Sequence, residues 1–287
     1  MDYQEIPLFF DCKGATLVGM LTRPDSVPRV GVLIVVGGPQ YRVGSHRQFV
    51  LLARALASAG IACMRFDYRG MGDSEGDPVR FDATGPDVGA AIETFAEKMP
   101  NLGTIVLWGL CDGAAACALA RPDLRVGGMI LVNPWVRTEA TAAEATLRHY
   151  YAGRIFALAF WRKLAIGGVD FAQSLTGLLR TIRRAGVPDA AAAGTANLPG
   201  RFGRALARHR GPVLVMLSGN DQTAEEFRLA VKKPGPLRSV MQDSRVTQVD
   251  IAGADHTLST ADWRDRASAL TIDWLRRHFF QPGAASS

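Results

Sequence analysis

The chain has few cysteines, no long apolar run and no basic tract, and each shortage removes a class of protein. Four cysteines, at positions 12, 63, 111 and 117 of 287, carry no disulfide-framework or metal-ligand spacing. No stretch approaches the ~18 consecutive apolar residues of a membrane-spanning helix. The opening Met-Asp-Tyr-Gln-Glu has no charged segment followed by an apolar one, so no signal peptide is expected. A cytoplasmic, reducing setting with free thiols is the expectation that follows. The net charge of +6 comes mainly from arginine and suits anionic partners. Without a lysine-arginine tract or a nucleic-acid-binding motif, however, no nucleic-acid partner is expected. No metal-ligand cluster or dinucleotide fingerprint is visible, and Gly70-x-Gly72 is too short and misplaced to cradle phosphate, so no cofactor is expected.

What is present is an ordinary globular composition, 48% hydrophobic and 21% charged, in a chain long enough for a large core. Short apolar runs alternate with longer amphipathic ones, the pattern of parallel βαβ units. Strands are predicted at 30–36, 61–66, 104–108, 126–132, 211–217 and 246–251. Helices are predicted at 46–59, near 84–98, after Gly113 through Leu119, and at 261–279. The rhythm breaks between 135 and 208, where helical stretches occur without a convincing strand. Residues 1–134 and 209–287 therefore read as one core, and 135–208 as a helical cap inserted into it.

Gly109-Leu110-Cys111-Asp112-Gly113 lies directly between a predicted strand and a helix that begins Ala114-Ala115-Ala116. A nucleophile held on a strained strand-to-helix turn needs that context, with small residues two places to either side. A cysteine at a helix N-terminus also gains from the dipole, which favours the thiolate. The plainer alternative is a small buried residue in a glycine-rich turn. Gly72-Asp73-Ser74-Glu75-Gly76 matches the serine version of the motif as a string. Six loop residues separate it from the strand that ends at Phe66, so Ser74 reads as a turn residue.

His256 falls in the loop after the last predicted strand, where an imidazole can swing over Cys111. His149, His209 and His278 lie in helical, charged surroundings and read as surface residues; His46 suits a helix start. Asp221, in Ser218-Gly219-Asn220-Asp221, follows the 211–217 strand and can orient the imidazole, or equally cap a helix over 223–232. Asp255 is next to His256 in sequence and faces it poorly, Asp250 lies within a strand, and Asp243 precedes one. The order nucleophile, acid, histidine, each just after a strand, is that of α/β-hydrolases. Asp112 N–H is the expected first oxyanion donor, and the amide of Gly38 or Gln40 the second, because Pro39 has none.

These segments, with Asp67-Tyr68-Arg69-Gly70-Met71-Gly72-Asp73-Ser74, resemble an α/β-hydrolase across most of the chain. Such a resemblance implies a mostly parallel central sheet flanked by helices. Gly37 through Arg47, Trp108 through Gly113 and Asn133-Pro134-Trp135-Val136-Arg137 are similar to the exosortase A system-associated hydrolases, type 1, bacterial proteins encoded near exosortase and exopolysaccharide genes. That resemblance implies a hydrolase and leaves its substrate open. Cysteine in the elbow also resembles dienelactone hydrolases and some acyl thioesterases, while Val36 stands where many esterases have a histidine.

The expected activity is hydrolysis of an acyl ester or thioester through a covalent intermediate on Cys111. Transfer of the acyl group to a sugar or amine acceptor is one alternative, and a non-catalytic binding protein of the same fold is another. Tyr41 and Trp135 are the expected substrate-binding residues. Ile155 through Trp161 is strongly apolar, and Arg154, Arg162, Lys163, Arg180, Arg183, Arg184, Arg201, Arg204 and Arg208 accumulate around and after it. An apolar acyl tunnel under a basic rim, suited to a phosphorylated carrier or a membrane surface, is the expectation, against an ordinary cap with solvated arginines.

Overall fold

The computed structural model describes residues 3–37, 41–138 and 197–280. Eight strands form one sheet in the order β1-β2-β4-β3-β5-β6-β7-β8. Tyr3–Cys12 (β1) and Ala15–Pro24 (β2) make an antiparallel hairpin. Its turn residues Lys13 and Gly14 both sit at positive φ, 54° and 79°, as a two-residue type I′ turn requires. β2 pairs antiparallel with Ala62–Phe66 (β4). Beyond it run Val30–Val35 (β3), Thr104–Leu110 (β5), Val126–Val132 (β6), Val213–Ser218 (β7) and Val246–Ile251 (β8), all parallel. Each predicted strand is therefore present to within two residues at either end.

The apolar runs are continuous because helices cover both faces of the sheet. Val30, Val32 and Ile34 of β3 enter one core layer, with Phe49 and Leu56 of Gln48–Ser58 (α1) and Trp274 and Leu275 of Ala261–Phe279 (α7). Leu33 and Val35 enter the other layer. There they meet Ile92 and Phe95 of Gly85–Lys98 (α2) and the small residues of Asp112–Leu119 (α3). Helices are numbered over the described residues. The predicted helix at 46–59 is instead a 3₁₀ turn, Ser45–Arg47, followed by α1, because His46 and Arg47 adopt positive φ.

Leu198–Arg208 (α4) carries Leu198, Phe202 and Leu206 at helical spacing, all fully buried. It packs against α3 and against Pro236–Met241 (α6), with Gly203 permitting close approach to the α6 backbone. Phe202 also meets Phe227 of Gln222–Lys232 (α5) edge-on, ring centroids 6.2 Å apart. The last stretch of the segment expected to be a cap is thus built into the core. Residues 139–196 of it, including Ile155 through Trp161 and the arginines from Arg154 to Arg184, lie outside the described residues. Phe202→Ala is expected to cost about 3–5 kcal/mol, read as a shift in the urea unfolding midpoint. A change below about 1 kcal/mol would show that α4 contributes little to the core.

Candidate active site

Cys111 is the first residue after β5 and the N-cap of α3, at φ 61° and ψ −123°. A non-glycine residue in that region stores on the order of 1–3 kcal/mol of strain and persists only where its surroundings hold it. The holding groups are explicit. Cys111 N donates to Val132 O at 2.9 Å, and Cys111 O accepts from Ala114 N, Ala115 N and Trp135 N at 3.1, 3.2 and 3.1 Å. A side chain on Gly109 would place its Cβ 2.5 Å from the Gly113 carbonyl. One on Gly113 would meet Val35 O and lie 3.0 Å from Gly37 N. One on Gly37 would strike the Asp112 carboxylate. Three glycines therefore let the turn sit directly on the end of β3.

The other three cysteines are buried, and burial pushes the Cys63 thiol up to about 12. Cys111 is the half-exposed one.

His256 lies after β8, with its Nδ1 donating to Asp221 Oδ2 at 2.9 Å. The hydrogen bond to Asp221, and after it the influence of Cys111, raise its pKa to about 10 against the opposing effect of burial. Asp221 also caps α5, accepting from Thr223 N at 3.1 Å and Ala224 N at 3.2 Å. The two sequence-level readings of Asp221 are both present, in one carboxylate. The other candidate acids are engaged elsewhere. Asp255 accepts from Thr257 N and from Ser259, Asp250 pairs with Arg228, and Asp243 pairs with Arg245.

The loops that carry the acid and the base are stitched together by Asn133, at the end of β6. Its Oδ1 accepts from Ser218 N at 2.7 Å, and its Nδ2 donates to Ser218 Oγ at 2.9 Å and to His256 O at 3.3 Å. From sequence, Asn133 stood in a segment of family resemblance and was given no role in the site. The available signal was a polar residue closing an apolar run and then found fully buried. Glu226, a buried carboxyl on α5, was also missed. Burial raises its pKa; Arg137, 3.8 Å away, opposes the rise and Asp221 adds to it. Nothing in a helical stretch rich in charged residues marks it out.

Asp112, the expected first oxyanion donor, opens the first turn of α3. Gly38 and Gln40 lie outside the described residues. Tyr41, the next described residue, is exposed. Arg42 then anchors the loop. Its backbone N donates to Asp67 Oδ1 at 2.6 Å, and its guanidinium bridges fully buried Asp67 and Asp73. Ser74 Oγ donates to Asp67 O at 2.8 Å and accepts from Val18 N at 2.9 Å, so this hydroxyl is a structural tie within the turn. Arg69 grips Asp87 of α2 bidentately. The Asp67–Ser74 segment is thus a brace for the loop after β3.

Trp135 stands beside the elbow through its bond to Cys111 O, its indole packed edge-on against Phe81 at 5.1 Å. Of the arginines expected on a basic rim, Arg201 pairs with Asp82 at 3.2 Å, while Arg204 and Arg208 are exposed. His209 departs from its expected surface role. It is half-buried, its carbonyl accepts from Arg245, and desolvation lowers its pKa to about 4. His278 is exposed, and His149 lies outside the described residues. Among the described residues no three His, Cys, Asp or Glu side chains converge on a metal position. None of the described helices is long and apolar enough to cross a membrane.

A family model for the alpha/beta hydrolase family matches residues 32–270. The chain belongs to this α/β-hydrolase family. Solved structures agree at the level of fold. An esterase from Pyrococcus furiosus is 13% identical, with a TM-score of 0.65, over 96% of this chain and 93% of its own. Est1E from Butyrivibrio proteoclasticus, solved with ferulic acid bound, is 17% identical over 96% and 100%, with a TM-score of 0.64. The esterase domain of a Rhodothermus marinus protein is 17% identical over 96% and 99%, with a TM-score of 0.62. No curated protein matches the chain.

The His256 imidazolium generates a testable pH dependence. Its folded pKa, about 10, exceeds the free value of 6.5. Its contribution to stability is therefore complete below pH 6.5 and is lost as pH rises through about 10. Proton NMR titration of the His256 ring is expected to show the high midpoint, and Asp221→Asn to lower it by at least about one unit. A wild-type midpoint near 6.5 would mean that the charged pair does not form.

Proposed function

We propose that this α/β-hydrolase cleaves acyl esters or thioesters through a covalent intermediate on Cys111, and is of the exosortase-associated type 1 kind. The observation that carries the proposal is an imidazole, His256, hydrogen-bonded to a buried carboxylate, Asp221, and coupled electrostatically to a strained elbow residue, Cys111.

A thiolate is the form that attacks, and His256 is the base that takes the Cys111 proton to supply it in this reading. In the proposed reaction Cys111 Sγ bonds to the acyl carbon, and the carbonyl oxygen takes up the charge. That oxyanion rests on Asp112 N–H and on the amide of Gly38 or Gln40. Collapse expels the alcohol or thiol, which receives its proton from His256. His256, now neutral, takes a proton from water as the water attacks the thioester. The second collapse releases the acid and restores the thiolate and imidazolium. Asp221 stays ionised throughout and keeps Nδ1 protonated, leaving Nε2 for chemistry. Trp135 and Tyr41 flank the acyl group in this reading.

The three esterase structures of the same fold support ester hydrolysis as the reaction class, and the ferulic acid bound to one of them is compatible with an acyl group held beside an aromatic side chain such as Trp135. The test is turnover of acyl esters and acyl thioesters of increasing chain length. Cys111→Ala and His256→Ala are each expected to lower kcat by at least about a thousandfold. Ser74→Ala should keep activity and lose about 1 kcal/mol of stability with its two hydrogen bonds. Full activity in Cys111→Ala would refute the cysteine mechanism.

A further inference from the structure

The parallel run of β3 to β8 separates two edges of the sheet. Catalytic groups follow the strand ends, and the loops that lead into the strands gather on the opposite edge, about 20 Å away at some 3.3 Å per residue. Hydrogen bonds hold these entering loops side by side. Gly103 N donates to Arg29 O at 2.8 Å, Ile105 N to Arg125 O at 2.8 Å, and Val213 N to Arg245 O at 2.9 Å. The end of α7 joins them, because Phe279 packs against Gly127 and Gly128.

Two properties coincide on this edge. The large apolar side chains exposed among the described residues are Phe9, Val27, Tyr41, Leu124 and Phe280, and three of these, Val27, Leu124 and Phe280, stand here. Leu124 is wholly exposed, at 106%, and is held out by a built turn. Asp123 and Arg125 pair bidentately on either side of it, and Val126 N closes the turn on Asp123 O at 3.0 Å. Val27, 72% exposed, projects from the loop before β3, two strand spacings or about 10 Å away.

Arg29, Lys98, Arg121, Arg210, Arg276 and Arg277 are exposed around these residues, with no ion pair among the described residues. Asp25, Glu93, Glu97 and Asp273 are the exposed acids beside them, fewer than the cations, while Asp123 and Asp243 are already paired. Lys98, Arg276 and Arg277 sit in the last turns of helices, where they also complement the dipole. Arg29, Arg121 and Arg210 lie in loops beyond that effect. A dipole does not explain a fully exposed leucine.

We propose that this edge docks on an anionic phospholipid surface. Leu124, Val27 and Phe280 enter the headgroup layer, the cations meet lipid phosphates, and the catalytic edge faces water. Shallow apolar insertion and basic attraction are each weak alone, and together they give reversible anchoring. The assignment is independent of the reaction proposed for Cys111.

The test is cosedimentation of the full chain with vesicles of phosphatidylcholine, alone or with one part in three phosphatidylglycerol. Binding is expected only with the anionic lipid, and is expected to weaken as salt rises from about 0.05 to about 0.5 M. Leu124→Ser with Val27→Ser, and separately Arg29→Glu with Arg121→Glu, should each lower partitioning by about tenfold or more. Phe9→Ser, an exposed apolar residue on β1, should leave it unchanged. Thermal melts of every variant verify folding, since all these positions are solvent-exposed. Equal binding to neutral vesicles, or edge variants that bind like wild type, would overturn the proposal. So would a dimer in solution, dissolved by Leu124→Ser, in a protein that ignores vesicles; the edge would then be an interface between two copies.

Discussion

The site depends on one close backbone contact: the turn at Cys111 seated against the end of β3. Gly109, Gly113 and Gly37 each occupy a place where one added carbon would collide with neighbouring backbone or with Asp112. That seating holds Cys111 at positive φ, with its amide bonded to β6 and its carbonyl shared by α3 and Trp135. It also brings Gly37, just after β3, against Asp112 and Gly113 in the first turn of α3. The strain is local, and the core layers on both sides of the sheet sustain it.

The same economy governs the charged groups. Asp221 closes the N-terminus of α5 and orients His256, so one buried carboxylate serves the helix and the imidazole together. Asn133 ties β6 to β7 and to the His256 loop, which makes the relative position of acid and base a property of the sheet rather than of two free loops. On the other flank, Arg42 and Asp67 fasten the segment from Tyr41 onward, and Ser74 fastens Asp67 in turn.

The parallel strands were legible because strands buried on both faces write themselves as uninterrupted apolar runs. The elbow was legible because glycines two places either side of a residue between strand and helix have few other uses. The hairpin of β1 and β2 was not read. β1 is an edge strand, mixed in polarity and broken by Pro7, and its apolar face depends on packing that no local pattern reveals. α6 is six residues long, too short for a period to show. The brace roles of Arg42, Asp67 and Ser74 are contacts between distant segments, as is the buried place of Glu226, and spacing along the chain does not encode them. His209 looked exposed because arginines flank it; the fold turns it inward beneath Arg245.

The most direct measurement of the central claim is the mass of the intact protein, taken within milliseconds to seconds of mixing with an activated acyl ester, followed by peptide mapping. The account predicts one added acyl group per chain, on Cys111, labile to hydroxylamine as a thioester and absent from Cys111→Ala. An active enzyme that carries no adduct on Cys111, or carries it on Ser74, would contradict the account.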